Sequence, residues 1–126
     1  MKVVAIAGSN RSGSTSTRLA KYIVAAIRQQ GVKADLYDLH QNPVPFYSPD
    51  VSHEDHDGLL RLKRMTAAAD GIVLASPEYH GSISGVLKNA LDHLGQAYFT
   101  GKPVLSATSS GGPVGISSLL QMQATV

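Results

Sequence analysis

The segment Gly8-Ser9-Asn10-Arg11-Ser12-Gly13-Ser14-Thr15-Ser16-Thr17 brings together hydroxyls, a guanidinium and glycines that let the backbone turn tightly. Such a set suits an anion. It follows an apolar run, Val3 to Ala7, and precedes a helical repeat, so a buried strand, a turn and a helix start come in that order. This order aims free backbone N–H groups and the positive end of a helix dipole at a phosphate, with Arg11 supplying charge-assisted hydrogen bonds. Better-known phosphate sites fit less well. A nucleoside-triphosphate loop needs G-x-x-x-x-G-K-[ST]; Gly8 and Gly13 keep the spacing, but Ser14 occupies the lysine position. A dinucleotide fingerprint G-x-G-x-x-G fails at Asn10, and a phosphoacceptor site would need carboxylates for Mg²⁺ where this segment has none.

Two further segments carry chemistry. Ser76-Pro77-Glu78-Tyr79-His80-Gly81-Ser82-Ile83-Ser84-Gly85 offers backbone N–H groups, an aromatic ring and glycines where a planar ring could lie. Its Gly81 to Gly85 stretch has the outline of a hydrolase nucleophile elbow, but Ile83 fills the serine position. Ser109-Ser110-Gly111-Gly112-Pro113 again presents hydroxyls and unhindered backbone. With no cysteine there is no thiolate nucleophile, disulfide or Cys-ligated metal, so redox chemistry requires a cofactor. His53-Glu54-Asp55-His56-Asp57 spaces its histidines one residue short of the H-E-x-x-H zinc pattern, and reads as the acid-rich first turn of a helix. His93 reads as a satisfied surface or interface group, and Lys88, Asn89 and Asp92 as the polar face of a helix.

The elements that must position these segments follow from periodicity. The pattern predicts strands at Val3 to Ala7, Ala34 to Leu39, Gly71 to Ala75 and Val104 to Thr108. Helices are expected from Thr17 to Gln30, with Leu19, Ile23, Ala26 and Ile27 inward, and after a Ser52/Asp55 capping box, with Leu59, Leu62, Met65 and Ala69 inward. Another is expected from Ser84 to Tyr98, and a last one running to Val126. The prolines at positions 43, 45 and 49 mark a long surface loop. Alternating strands and helices imply an α/β open, doubly wound parallel sheet with right-handed crossovers. A fold of this kind binds ligands at the carboxyl ends of its strands, where all three segments fall.

Composition sets the remaining bounds. The chain has 126 residues, 43% apolar and 16% charged, enough for one core in one domain. A formal charge of +2 provides no basic stripe for nucleic acid, and no apolar run reaches the ~18 residues of a membrane span. The N-terminal run is too short for a signal peptide, so a cytoplasmic protein is expected.

Three motifs make the chain resemble the NADPH-dependent FMN reductase family of flavodoxin-like fold, which includes azobenzene, chromate and quinone reductases. They are the Gly-Ser-x-Arg-x-x-Ser start at Gly8 to Ser14, the Pro-Glu-Tyr-His-Gly loop followed by Gly85-Val86-Leu87-Lys88-Asn89-Ala90-Leu91-Asp92, and Ser110-Gly111-Gly112. The resemblance covers nearly the whole chain. It implies that Ser9, Arg11 and Ser16 hold the FMN phosphate, that Ser14 orders the loop, and that Pro77, Glu78, Tyr79, His80, Ser110 and Gly111 border the flavin ring. No side chain is expected to act as a nucleophile. Ser16 and His80 stand where many members have Asn, and Ser84 where many have Pro; His80 and Ser84 are closer to the azobenzene branch. The implied reaction passes electrons from NADPH or NADH through FMN to a quinone, azo compound, metal oxyanion or free flavin, in a homodimer or homotetramer. The alternative is a flavodoxin-type electron carrier without NAD(P)H oxidation, although such carriers are usually strongly acidic. The family's strand order would be 2-1-3-4-5, so a fifth strand and a last helix, roughly 40 to 50 residues, are expected to be missing from this chain.

Overall fold

The computed structural model describes residues 1–112 and 115–126. Pro113, which the sequence reading places in the third loop, lies outside the described residues. Among those described, the chain forms β1 (Lys2–Ala7), α1 (Thr15–Gln29), β2 (Lys33–Asp38), α2 (Asp57–Ala68), β3 (Gly71–Pro77), α3 (Gly85–His93), a 3₁₀ turn (Gln96–Tyr98), β4 (Val104–Ser109) and α4 (Gly115–Thr125). All strand pairs are parallel and the order is β2-β1-β3-β4, which is the flavodoxin-like arrangement. The chain leaves β1 toward one side and returns to β3 on the other. The order therefore reverses between β1 and β3, and a crevice opens outside their carboxyl ends.

Side chains of the central strands alternate between two cores. Val4, Ile6, Ile72 and Leu74 pack with Leu62 of α2, Leu87 and Leu91 of α3 and Met122 of α4. The opposite face is built of small residues: Ala5, Ala34 and Val73 against Val24, then Ala7 and Ala75 against Ala20. Alanines at the carboxyl ends of β1 and β3 let the first turns of α1 lie close to the sheet, which sets the helix start over the crevice. The backbones of β1 and β3 approach closely there too. Gly8 N–H donates to Ala75 O at 2.7 Å, and a Cβ on Gly8 would lie 2.8 Å from that oxygen and 2.9 Å from Leu87 Cβ. Only glycine fits.

Several expected boundaries move, each for a physical reason. α1 begins at Thr15, and its buried stripe is Ser16, Thr17, Ala20 and Val24, with Ile23 and Ile27 half-buried and Ala26 exposed. Small residues win that face because the opposing sheet is alanine-rich. The Ser52/Asp55 capping box does not form; His56 caps α2, its Nδ1 accepting from Leu59 N–H at 3.0 Å, so His53 to His56 precede the helix. α3 stops at His93, where Leu94 turns extended and buries its side chain and Gly95 disfavours another turn. β3 runs on to Pro77, which pairs with Ser109 as the last rung beside β4.

Tyr37 fixes the start of the long β2–α2 loop. It is fully buried, and its hydroxyl directs its proton between Gly58 O (2.8 Å) and Asn42 O (3.0 Å). Burial pushes the phenol pKa up, and Arg61, whose guanidinium lies 5.5 Å from the ring centroid, offsets part of that rise.

Candidate functional site

The phosphate-suited segment is held from beneath by its own serines. Ser9, almost fully buried, accepts Arg11 N–H on its Oγ at 3.1 Å, which tightens the turn leaving β1. Ser14 stands at the N-cap of α1 but makes no capping hydrogen bond; its Oγ lies 2.8 Å from the Oγ of Ser16, which is fully buried. The first amides of α1 are thus left open at the positive end of the helix, and no acidic residue occupies its first turn. Thr17 Oγ1 is buried there with no partner among the described residues. His40 Nδ1, 2.9 Å from Asn10 O, props the loop from the β2 side.

The second segment leaves β3 at Pro77 and forms a tight hairpin. Tyr79 and Ser82 exchange backbone hydrogen bonds of 2.9 and 3.1 Å, and the two residues between them, His80 (φ 53°) and Gly81 (φ 79°), are left-handed. Both positive φ values are what a type I′ turn requires. Glu78 N–H donates to Ser109 O at 3.3 Å, joining the hairpin to the end of β4. Glu78 Oε1 is buried without a partner among the described residues.

The three segments meet at one cleft of about 340 Å³, lined by Arg11, Ser14, Thr15, Pro77, Glu78, Tyr79, Ser109, Ser110 and Gly111. Most residues nominated from sequence are therefore brought together. Ser9 and Ser16 lie behind the loop and shape it, while His80 sits exposed at the hairpin tip and does not line the cleft. Thr15 and Ser109 fall inside the nominated segments without a role of their own in the sequence, and the structure sets both on the cleft wall. Their signal was their place beside a nominated residue, but whether an N-cap hydroxyl is spent on its own helix is invisible in sequence. A tighter, more apolar hollow of 140 Å³ lies on the far side of Asn10, between Phe46 and Val86; it carries no cation and does not suit a phosphate.

The remaining nominated polar groups have other work. Lys88 and Asp92 form an exposed pair at 2.6 Å on α3. Asn89 is not merely a polar-face residue: its Oδ1 accepts Tyr47 N–H (2.8 Å) and its Nδ2 donates to Pro45 O (3.0 Å). His93 is satisfied but not on the surface; 9% exposed, it donates from Nε2 to the same Pro45 O at 2.6 Å. These two side chains strap the proline-rich loop onto α3. No group of three or more His, Asp or Glu suited to a metal occurs among the described residues.

Comparison with known proteins decides what the cleft belongs to. The NADPH-dependent FMN reductase family model matches residues 1–126. The chain belongs to the NADPH-dependent FMN reductase family. It is 40% identical to an NADPH azoreductase of Bacillus sp. (strain OY1-2), covering all of this chain and 68% of that protein. It is 36% identical to an FMN-dependent NADPH-azoreductase of Staphylococcus aureus (strain USA300), covering all of this chain and 69% of that protein. Among solved structures it superposes on the apo NADH:FMN oxidoreductase EMOB with a TM-score of 0.82 at 27% identity, covering 98% of this chain and 66% of that one. FerB, an NAD(P)H:(acceptor) oxidoreductase of Paracoccus denitrificans, gives 0.77 at 27% identity, covering 98% of this chain and 68% of FerB. This member of the FMN reductase family thus spans about two thirds of the length of these relatives. FMN and a reduced nicotinamide nucleotide are the family's cofactors, and the cleft fits the first: a guanidinium without an ion pair among the described residues and a helix start without a side-chain cap at one end, backbone and an aromatic edge at the other.

Proposed function

We propose that residues 1–126 form one FMN-binding domain of an NAD(P)H-dependent reductase that hands electrons to a small acceptor, with azo compounds and quinones as the acceptor class. The observation that carries this reading is the pairing, on one side of the cleft, of an uncapped helix start with Arg11, which makes no ion pair among the described residues. Arg11, the Ser14 hydroxyl and the amides of Ser16 and Thr17 bind the FMN phosphate, and Ser9 and Ser16 hold the loop that presents them. Pro77, Glu78 and Tyr79 face one edge of the ring and Ser110 and Gly111 another, with His80 at the rim where an acceptor arrives. FMN, once bound, supplies the hydride and electron chemistry; the protein binds, orients and excludes water. The azo and quinone classes are suggested by the names of the relatives and by an open, aromatic-edged cleft that would admit a flat molecule.

A homo-oligomer acting on small molecules in the cytoplasm completes the reading. Exposed apolar side chains on α4, Ile116 and Leu120, are consistent with a covered face, and among the described residues no helix is long and apolar enough to cross a membrane. The test is a titration of the purified protein with FMN followed by addition of NADPH. A yellow 1:1 complex that bleaches under anaerobic NADPH supports the reductase. A yellow complex that NADPH and NADH both leave oxidised favours an electron carrier, and no complex overturns both.

A further inference from the structure

Between the phosphate loop and the hairpin, Ser76 and Ser84 form a buried polar junction whose own side chains do not line the cleft. Ser84, 1% exposed, donates its hydroxyl proton to Gly8 O and accepts Leu87 N–H at 3.1 Å, while its own N–H donates to Ser76 Oγ at 3.1 Å. Ser76, fully buried, donates onward to Pro77 O at 2.8 Å. Gly8 opens the phosphate loop and Pro77 opens the hairpin. One chain of hydrogen bonds therefore ties the first peptide of each loop to the first turn of α3, and Gly8 N–H to Ala75 O closes the circuit through β3.

We propose that Ser84 and Ser76 are positioning residues that hold the phosphate loop and the hairpin at the separation a single FMN must span. The proposal rests on the FMN reading above. Ser84 does more than cap a helix, because its hydroxyl serves two partners, one in its own helix and one in β1's extension. A ligand that grips both loops is penalised whenever they move independently, since apparent affinity falls with the fraction of molecules holding both in place. A ligand gripping one loop is not. FMN engages phosphate loop and hairpin together; riboflavin, lacking the phosphate, engages the ring side alone.

The experiment compares FMN and riboflavin binding in wild type, Ser84→Ala and Ser76→Ala by fluorescence titration, alongside hydrogen exchange of the unliganded proteins. Losing one buried hydrogen bond of this kind shifts the FMN dissociation constant about tenfold, with riboflavin changing less than about threefold. In unliganded protein the amides of Arg11 to Gly13 and of Tyr79 and Ser82 should exchange faster together. Ser76→Ala leaves the α3 cap intact, so the same two effects must appear in it, and it carries the test should Ser84→Ala fail to fold. Equal weakening of both flavins, or faster exchange confined to Gly85 to Leu87, would reduce Ser84 to a helix cap and overturn the proposal. Should wild type bind no FMN, the functional reading falls by itself, and the exchange data still decide whether the two loops are coupled.

Discussion

Two helices of this chain start at a serine in nearly the same backbone conformation: Ser14 (φ −60°, ψ 138°) before α1 and Ser84 (φ −64°, ψ 150°) before α3. Ser84 caps its helix in the ordinary way, accepting Leu87 N–H, and is sealed from solvent. Ser14 turns its hydroxyl to Ser16 instead and leaves the amides of its helix unclaimed. A capped start is finished as structure; an uncapped one beside a cation is unfinished until an anion arrives. Which helix start can take an anion follows from which serine is withheld from its own helix, not from the presence of serine.

Arg11→Ala should break this comparison hardest. Arg11 makes no ion pair among the described residues and lines the cleft, so its charge is free for a phosphate. Loss of a charge-assisted contact of ~1.5 to 3 kcal/mol should weaken FMN binding roughly ten- to a hundredfold while leaving stability within ~0.5 kcal/mol. Flavin titration and urea unfolding measure the two quantities; an unchanged affinity would remove the phosphate assignment.

Exchanging each serine for alanine tests the contrast directly. Ser84→Ala removes a formed cap and leaves Gly8 O buried without its donor, so unfolding free energy should drop by about 1 to 3 kcal/mol, read as a lower urea midpoint at constant slope. Ser14→Ala removes no cap, because none is made, and should cost under ~1 kcal/mol while weakening FMN binding a few-fold. Were Ser14→Ala the more destabilising of the two, the open-amide account of the α1 start would fail.

Much of this architecture was legible from the chain alone, and the exceptions share a cause. Val3 to Ala7 and Gly71 to Ala75 announce themselves as strands because both faces of a central parallel strand are buried and the apolar run is unbroken. The strand-turn-helix order around Gly8 to Thr17 was legible too, and Arg11, Ser14 and Thr15 of that segment line the cleft. What failed depended on partners distant in sequence. α1 buries Ser16 and Thr17 instead of Ala26 because the sheet beneath it is alanine-rich, and α2 is capped by His56 rather than Ser52, on a first turn whose Gly58 O accepts from Tyr37 of β2. Asn89 and His93 looked like ordinary helix-surface residues until the loop carrying Pro45 folded over them. Likewise, Ser9 comes with the motif and Ser16 with the family resemblance, but only the fold shows them behind the loop and Thr15 and Ser109 at the cleft.

The smallest effect concerns how the two loops meet the same conformational demand. The phosphate loop places its left-handed residue at Gly13 (φ 67°), where no Cβ is strained, whereas the hairpin gives the first left-handed position of its turn to His80 (φ 53°). Asparagine tolerates that conformation better than histidine because its short side chain bonds locally to the backbone, and Asn-Gly is the favoured pair for a type I′ turn. His80 is exposed and outside the cleft lining, so its replacement removes no packing. His80→Asn should therefore raise unfolding free energy by ~0.5 kcal/mol, a gain of about 2 °C in Tm for a chain of this size, with FMN affinity unchanged within twofold. A fall in Tm would mean that the imidazole contributes a stabilising contact at the hairpin tip. A fall in NADPH-driven turnover at unchanged FMN affinity would instead place His80 against the incoming acceptor, as its position at the rim of the cleft suggests.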